Sequence, residues 1–341
     1  MNKKILIVCE RSAGHIFPAL TIGKKIKDTK EHKVYFFATS KFLKEFLIKE
    51  NFLVYGRVFS FRNLLLELSY RFFEALYLLF KIRPAKIIGF GGRDSFFLIF
   101  LGALFFIDTS IYELNVNLGK ANKLLFIFVR RIFLGFYKEK KSRKEKYIGI
   151  PLRENIRFVD KEKVLKKLNF DLSPIIFCFG GSQGSHFLNE IFIRLIQVLE
   201  GKFQIIHLTG KRDYLEIIKI YNKIDKKSWV RDFYYNMEEL YSVADLIISR
   251  AGASTLAEIV YYKIPAILIP HPQAGGHQRA NALYLKRRNA ALVFYQENFS
   301  FFDFKNKVVE LLYNQNLRYE IKSNLGNIKL GVKIEDFSFY F

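Results

Sequence analysis

Short apolar runs recur along the chain, separated by stretches whose apolar positions fall at helical spacing. Residues 5–9 (ILIVC), 34–38 and 86–90 are three such runs in the first half. Apolar runs bounded by turn signals predict strands buried on both faces. Behind the first run, Ala19, Leu20, Ile22 and Ile26 keep a helical period, with Pro18 in the first turn, where proline is tolerated. The second half repeats the scheme. Strands are predicted over 174–180, 204–208, 229–233, 246–249, 265–270 and 291–295. Helices are predicted through Leu188, Asn189, Ile191 and Leu195, then over 238–243, 256–262 and 283–288, and the last forty residues read as helical and basic. Strands alternating with helices imply parallel sheets. A chain of 341 residues accommodates two domains.

Three apolar stretches depart from the strand pattern. Residues 59–81 are dense in Leu, Phe and Tyr but carry Arg62, Arg71 and Lys81, which predicts a buried helix with a wet edge. Residues 96–107 are apolar throughout. At about 1.5 Å per residue they are too short to cross roughly 30 Å of hydrocarbon, so they form a core helix or an interfacial element. Residues 124–136 repeat the theme with Arg130 and Arg131 inside. Apolar patches rimmed by Lys and Arg are the sequence form of a peripheral membrane surface. Residues 138–146 are a charge run, read as solvated surface or as a contact for anionic lipid.

Charge sharpens this picture. Lys and Arg number 55 against 32 Asp and Glu, a net charge of +23, which favours anionic partners. Aromatics make up 17% of the chain, with 37 Phe. Basic plus aromatic suits a protein lying on an acidic membrane better than a plain nucleic-acid binder, whose basic residues would cluster on one face. The two cysteines, Cys9 and Cys178, sit in or beside apolar strands and form no CxxC pair, so metal or redox use is not expected. Lys3-Lys4 leads straight into a short strand, too short for the apolar core of a signal peptide.

The candidate chemistry lies in the loops after strands. Arg250-Ala251-Gly252-Ala253-Ser254-Thr255 joins a buried strand to a helix. Small residues let backbone N–H groups approach a ligand, and the helix start adds about half a positive charge, a socket for a diphosphate. The plainer alternative is that Ser254 and Thr255 only cap the helix. Glu258, one turn in, is placed to accept from ribose hydroxyls. The next loop, Gly275-Gly276-His277-Gln278, leads to Asn281, and amides suit sugar hydroxyls because each donates and accepts. Gly180-Gly181-Ser182-Gln183-Gly184-Ser185 is a second strand–glycine loop–helix, without the Lys of a Walker loop. Near the start, His15 follows the first strand at a helix N-terminus, which keeps an imidazole neutral and able to act as a general base.

Together these stretches resemble the MurG family, the peptidoglycan N-acetylglucosaminyltransferases that turn lipid I into lipid II, over nearly the whole chain. Gly149-Ile150-Pro151-Leu152-Arg153 resembles the family's interdomain Gly-Asn-Pro-Val-Arg, and Tyr112-Glu113-Leu114-Asn115 its His-Glu-Gln-Asn. Glu10 and Arg11 stand where the family has glycine. The resemblance implies an α/β, GT-B glycosyltransferase: two Rossmann-like domains facing across a cleft. It places an acceptor- and membrane-binding domain at 1–152, a UDP-sugar domain at 153–322, and a segment at 323–341 returning to the first. It implies His15 as base with Glu113 in reserve. The implied donor contacts are Ser12, Ala13, Gly14, Asn115, Arg153, Ser182, Tyr234, Ala253, Ser254, Thr255, Leu256, Ala257, Glu258, Gln278 and Asn281. The implied partners are UDP-N-acetylglucosamine, an undecaprenyl-linked acceptor and the anionic cytoplasmic face of the membrane, where the protein is peripheral. No cofactor or metal is expected, since no Asp-x-Asp motif appears, and no nucleic acid, since the basic residues are spread along the chain. The rival acceptor is another lipid, such as diacylglycerol. An epimerase on the same fold would need further catalytic carboxylates, which the sequence does not offer.

Overall fold

The computed structural model describes residues 3–9, 13–58, 63–92 and 96–336, without the side chains of residues 13–15 and 42. It divides into two compact units: residues 1–154 with 332–341, and residues 155–331.

In the first unit the chain runs β1 (Lys3–Val8), α1 (Ala13–Asp28), β2 (His32–Phe37), α2 (Lys41–Lys49), β3 (Leu53–Tyr55), α3 (Leu64–Ile82), β4 (Lys86–Gly89), α4 (Phe96–Leu104), β5 (Asp108–Glu113), α5 (Lys120–Leu125), β6 (Arg131–Leu134), β7 (Glu145–Tyr147) and β8 (Ile150–Pro151). Seven strands form a parallel sheet in the order β3-β2-β1-β4-β5-β6-β7. Leu6, Val8, Ile87, Ile111 and Ile132 from its strands pack with Leu78, Leu79, Ile82, Leu98 and Leu101 of α3 and α4. Helices on a sheet buried on both sides explain why its strands read as unbroken apolar runs.

The second unit holds α6 (Lys161–Leu168), β9 (Ile175–Phe179), α7 (His186–Val198), β10 (Gln204–Leu208), α8 (Tyr214–Tyr221), β11 (Ser228–Arg231), α9 (Met237–Val243), β12 (Leu246–Ser249), α10 (Ala253–Tyr262), β13 (Ala266–Leu268), α11 (His277–Lys286), β14 (Leu292–Val293), α12 (Phe301–Tyr313) and α13 (Gln315–Gly326). Its six strands are parallel in the order β11-β10-β9-β12-β13-β14. Past α13, a last strand, β15 (Gly331–Val332), follows. There the Leu152 N–H donates to the Val332 carbonyl at 2.9 Å, which ties the end of the chain to the first unit.

Two sequence expectations change. The apolar run 124–136 is not one element: α5 ends at Leu125, and Ile132, Phe133 and Leu134 are buried in β6. The charge run 138–146 is not all solvated. It leads into β7, whose Glu145 is buried and accepts from Lys138 Nζ at 3.0 Å and the Ser142 N–H at 2.7 Å. Of the long helix expected over 59–81, the described part begins at Leu64, with Asn63 capping the Leu65 N–H.

Helix α4 ends unusually. Phe106 takes a left-handed backbone, φ 57°, a conformation that favours glycine, and its Ile107 neighbour donates back to Gly102 at 2.9 Å. The ring is 96% exposed, so packing does not offset this conformation. Replacing Phe106 by glycine is therefore expected to raise stability by about 1 kcal/mol. Chemical denaturation checks this, and a lowered midpoint would count against it.

Candidate active site

In the second sheet the strand order reverses between β9 and β12, which pair with Phe179 opposite Ser249. Open α/β sheets bind ligands beyond the carboxyl ends of the strands at such a reversal. The loops leaving these two strands are the glycine loop 180–185 and the small-residue turn 250–252. Topology thus sets the two phosphate-type loops side by side.

The glycine loop is tightly folded. Gly184 has φ 76° and donates to the Gly181 carbonyl at 3.0 Å, and a Cβ on Gly184 would lie 2.2 Å from the Thr209 carbonyl oxygen. No other residue fits there. Ser182 is exposed at the tip of the loop. Ser185 caps α7, its Oγ accepting from the Leu188 N–H at 3.4 Å.

Arg250, which sequence reasoning passed over as part of a turn, holds the site together. It is buried. Its Nε and one terminal nitrogen donate to Ser185 Oγ at 3.1 and 2.8 Å. The other terminal nitrogen donates to the carbonyls of Ile269 and Pro270 at 3.0 and 3.4 Å, and a further bond reaches Gln296 Oε1 at 3.1 Å. One guanidinium therefore laces the loops after β9, β12, β13 and β14. Burial lowers its pKa to about 10, so it stays charged at neutral pH. Its hydrogen-bond partners are neutral oxygens, which leaves net positive charge beside the loops.

The turn itself is gripped from both sides. Gln278 Oε1 accepts from the Ala251 N–H at 3.3 Å and the His271 N–H at 2.9 Å, while Asn281 Nδ2 donates to the Ala251 carbonyl at 3.2 Å. These amides position the turn, a role the sequence did not show because both partners are distant backbone atoms. Helix α10 starts at Ala253, and its cap position is Gly252, which has no side chain to offer, so Ser254 and Thr255 stand inside the first turn and not at the cap position. The start of such a helix carries a partial positive charge that favours an anion. Leu256 and Ala257 have no exposed surface and fill the core behind the turn. Glu258 is buried, and its Oε2 accepts from the Tyr241 hydroxyl at 2.7 Å. Tyr234, after β11, donates its hydroxyl to Glu239 at 2.6 Å and accepts from Lys167 at 2.9 Å.

Beneath these loops runs a buried polar chain that the sequence did not announce. Asn189 donates to Asp213 at 2.7 Å and to the Thr209 carbonyl at 2.9 Å, and its Oδ1 lies 3.0 Å from His207 Nε2. His207 Nδ1 meets the Tyr221 hydroxyl at 3.0 Å. Burial lowers the His207 pKa to about 3.

In the first unit, Glu113 ends β5 and is buried. It accepts from the Asn115 N–H and Nδ2, both at 3.0 Å, and from the Gly119 N–H and Asn122 Nδ2, both at 2.8 Å. A carboxylate with four donors folds the loop that carries Asn115; it is poorly placed to relay a proton. Tyr112 is buried and donates to the Gly149 carbonyl. Arg153 stacks over Phe17 of α1, 5.4 Å from the ring centroid. Ala13 and Gly14 begin α1. Ser12 and the His15 side chain lie outside the described residues.

Comparison with known proteins agrees with this arrangement. Residues 6–134 match the glycosyltransferase family 28 N-terminal domain and residues 175–333 its C-terminal domain. A UDP-N-acetylglucosamine-N-acetylmuramyl-(pentapeptide) pyrophosphoryl-undecaprenol N-acetylglucosamine transferase of Halothermothrix orenii is 37% identical, over 85% of both chains. One of Rickettsia rickettsii is 31% identical over 95% of both. The chain belongs to the MurG family. The Acinetobacter baumannii MurG structure shares the fold, with a TM-score of 0.80 at 22% identity, covering 98% of this chain and 97% of that one. Two parallel sheets carrying the two family 28 domains make the MurG-family chain a GT-B glycosyltransferase in fold.

His207 makes a pH test of the buried network. In the unfolded chain it titrates near its ordinary 6.5, and folded it stays neutral to about 3. Below pH 6.5 the unfolded state therefore binds the extra proton, and stability falls as pH falls. His207→Gln is expected to flatten the acid limb of the stability curve between those two values. Urea unfolding across that range measures it; parallel curves for the two proteins would exclude the assignment.

Proposed function

We propose that this chain transfers N-acetylglucosamine from UDP-N-acetylglucosamine to the N-acetylmuramyl unit of the undecaprenyl-pyrophosphoryl acceptor, lipid I, giving lipid II. The two family domains and the names of the relatives support the reaction, and they favour lipid I over diacylglycerol as acceptor. The observation that carries the reading is the loop cluster at the reversal of the second sheet. There a helix N-terminus, a glycine loop and a buried, charged Arg250 meet. That is a receptor for a diphosphate.

In this reading the diphosphate rests on the N–H groups at Ala253 to Thr255, with Ser182 donating from the glycine loop. Arg153 adds charge. Tyr234 offers backbone to the uracil, and Glu258 accepts from the ribose. Gln278, Asn281 and Asn115 line the sugar. The reaction is a direct inverting displacement. The acceptor 4-hydroxyl oxygen attacks the anomeric carbon, the bond to the β-phosphate oxygen breaks, and UDP leaves with the electron pair. His15 takes the hydroxyl proton. Helix dipole and N–H donors stabilise the departing diphosphate.

The acceptor is a lipid, and the first unit offers a surface for one. Phe73, Tyr77 and Phe80 of α3 are each more than half exposed, as are Leu124 and Ile127. Lys81, Arg83, Lys123 and Arg130 are interspersed with them. No helix among the described residues is long and apolar enough to cross a membrane. Apolar anchors mixed with basic charge support peripheral association with an anionic membrane surface.

Two measurements test this. Purified protein given labelled donor and lipid I should yield lipid II by mass spectrometry, with turnover unchanged after chelation; turnover restored only by magnesium would contradict the metal-free scheme. Glu258→Ala should raise the donor KM by roughly tenfold or more, as expected for a lost hydrogen bond to a charged group. An unaltered KM would remove Glu258 from the donor site.

A further inference from the structure

The Glu258 carboxylate is only 6% exposed, and the hydroxyl that donates to its Oε2 comes from another element. Tyr241 belongs to α9, the helix before β12, whereas Glu258 belongs to α10, the helix after it. The bond, 2.7 Å long, therefore depends on how the two helices pack and not on spacing along one of them.

Packing leaves the Tyr241 ring little freedom. The residue is 2% exposed. Tyr262 stacks on it, with centroids 5.2 Å apart and planes 21° apart. Phe177 and Phe179 of β9 meet it edge-on, at 5.8 and 6.1 Å. Tyr262 lies one turn beyond Glu258 on the same face of α10 and is itself anchored, its hydroxyl donating to the Arg157 carbonyl at 2.7 Å. A ring packed this closely brings its hydroxyl to one place, and the carboxylate that accepts from it is turned accordingly.

The position of Glu258 along α10 says what this orientation serves. It stands four residues after Ser254, about 6 Å along the axis from the helix start assigned to the diphosphate. The cis-diol of a ribonucleotide lies at a comparable distance from its 5′-phosphate. Both hydroxyls of a cis-diol can donate to one carboxylate, provided that its plane is set, because a carboxylate accepts in about four directions. Tyr241 takes one direction and thereby sets the others. If the tyrosine only satisfied a buried charge, its loss would lower stability and leave the choice between ribose and deoxyribose unaltered.

We propose that Tyr241 is a positioning residue for the donor, holding the Glu258 carboxylate in the orientation that receives the 2′- and 3′-hydroxyls of the ribose and so selecting a ribonucleotide. The proposal rests on the reading of Glu258 as the ribose contact and adds the residue that makes this contact selective.

The test compares UDP with 2′,3′-dideoxy-UDP by calorimetry, in the full-length wild type, in Tyr241→Phe and in Tyr262→Phe. The last variant removes a buried hydroxyl from the same stack, one that bonds to Arg157 instead. Wild type should prefer UDP by about tenfold or more. Tyr241→Phe should weaken UDP at least about fivefold and the dideoxy ligand less than about twofold, whereas Tyr262→Phe should keep the wild-type preference. In turnover, Tyr241→Phe should raise the donor KM by a like factor and leave kcat at saturating donor unchanged. Added to Glu258→Ala, it should cost no further UDP affinity, because the two residues act through one contact. Equal weakening of both ligands in Tyr241→Phe, or an undiminished preference, would overturn the positioning role and leave Glu258 as the ribose contact. No preference for UDP in the wild type would overturn the ribose contact itself, and the proposal with it.

Discussion

A single buried guanidinium organises the nucleotide-type end of the second sheet. Arg250 sits at the end of β12 and hydrogen-bonds to groups that follow β9, β13 and β14. Burying a cation is costly unless its donors are satisfied. Here the donors are satisfied by oxygens that belong to the loops themselves, so the loops are held in one arrangement. Those oxygens carry no formal charge, and the field of the cation therefore remains available to an anion. Strand order places the loops together, the glycines let them approach, and Arg250 fixes them.

The same logic recurs at smaller scale. Gln278 and Asn281 grip the Ala251 peptide from opposite sides. Glu113 gathers four N–H donors to fold the loop bearing Asn115. Asn189, His207 and Asp213 form a polar chain under the glycine loop. In each case polar side chains are spent on fixing backbone geometry. That rigidity suits a phosphate-binding site, where fixed donors cost little reorganisation.

The alternation of buried strand, small loop and helix was legible from the sequence, because parallel sheets covered on both faces need unbroken apolar runs. The glycine loop 180–185 and the turn 250–255 were legible for the same reason. The roles of particular polar residues were not. Glu113 looks like a candidate acid in a loop, but its partners Gly119 and Asn122 are brought to it only by the fold. Gln278 and Asn281 read as sugar contacts; that they also hold the Ala251 peptide was not legible, because Ala251 lies far from them in sequence. Arg250 follows an apolar strand and reads as the first residue of a turn; nothing local says that it points inward. The run 124–136 misled because apolar composition cannot distinguish a short helix end from a core strand.

Titration of the full chain with UDP, followed by calorimetry, tests the account most directly. It predicts saturable binding of one UDP per chain, weakened about tenfold or more in Arg250→Met, which keeps the apolar stem and removes the charge. No saturable binding by the wild type, or the same affinity in both proteins, would contradict it.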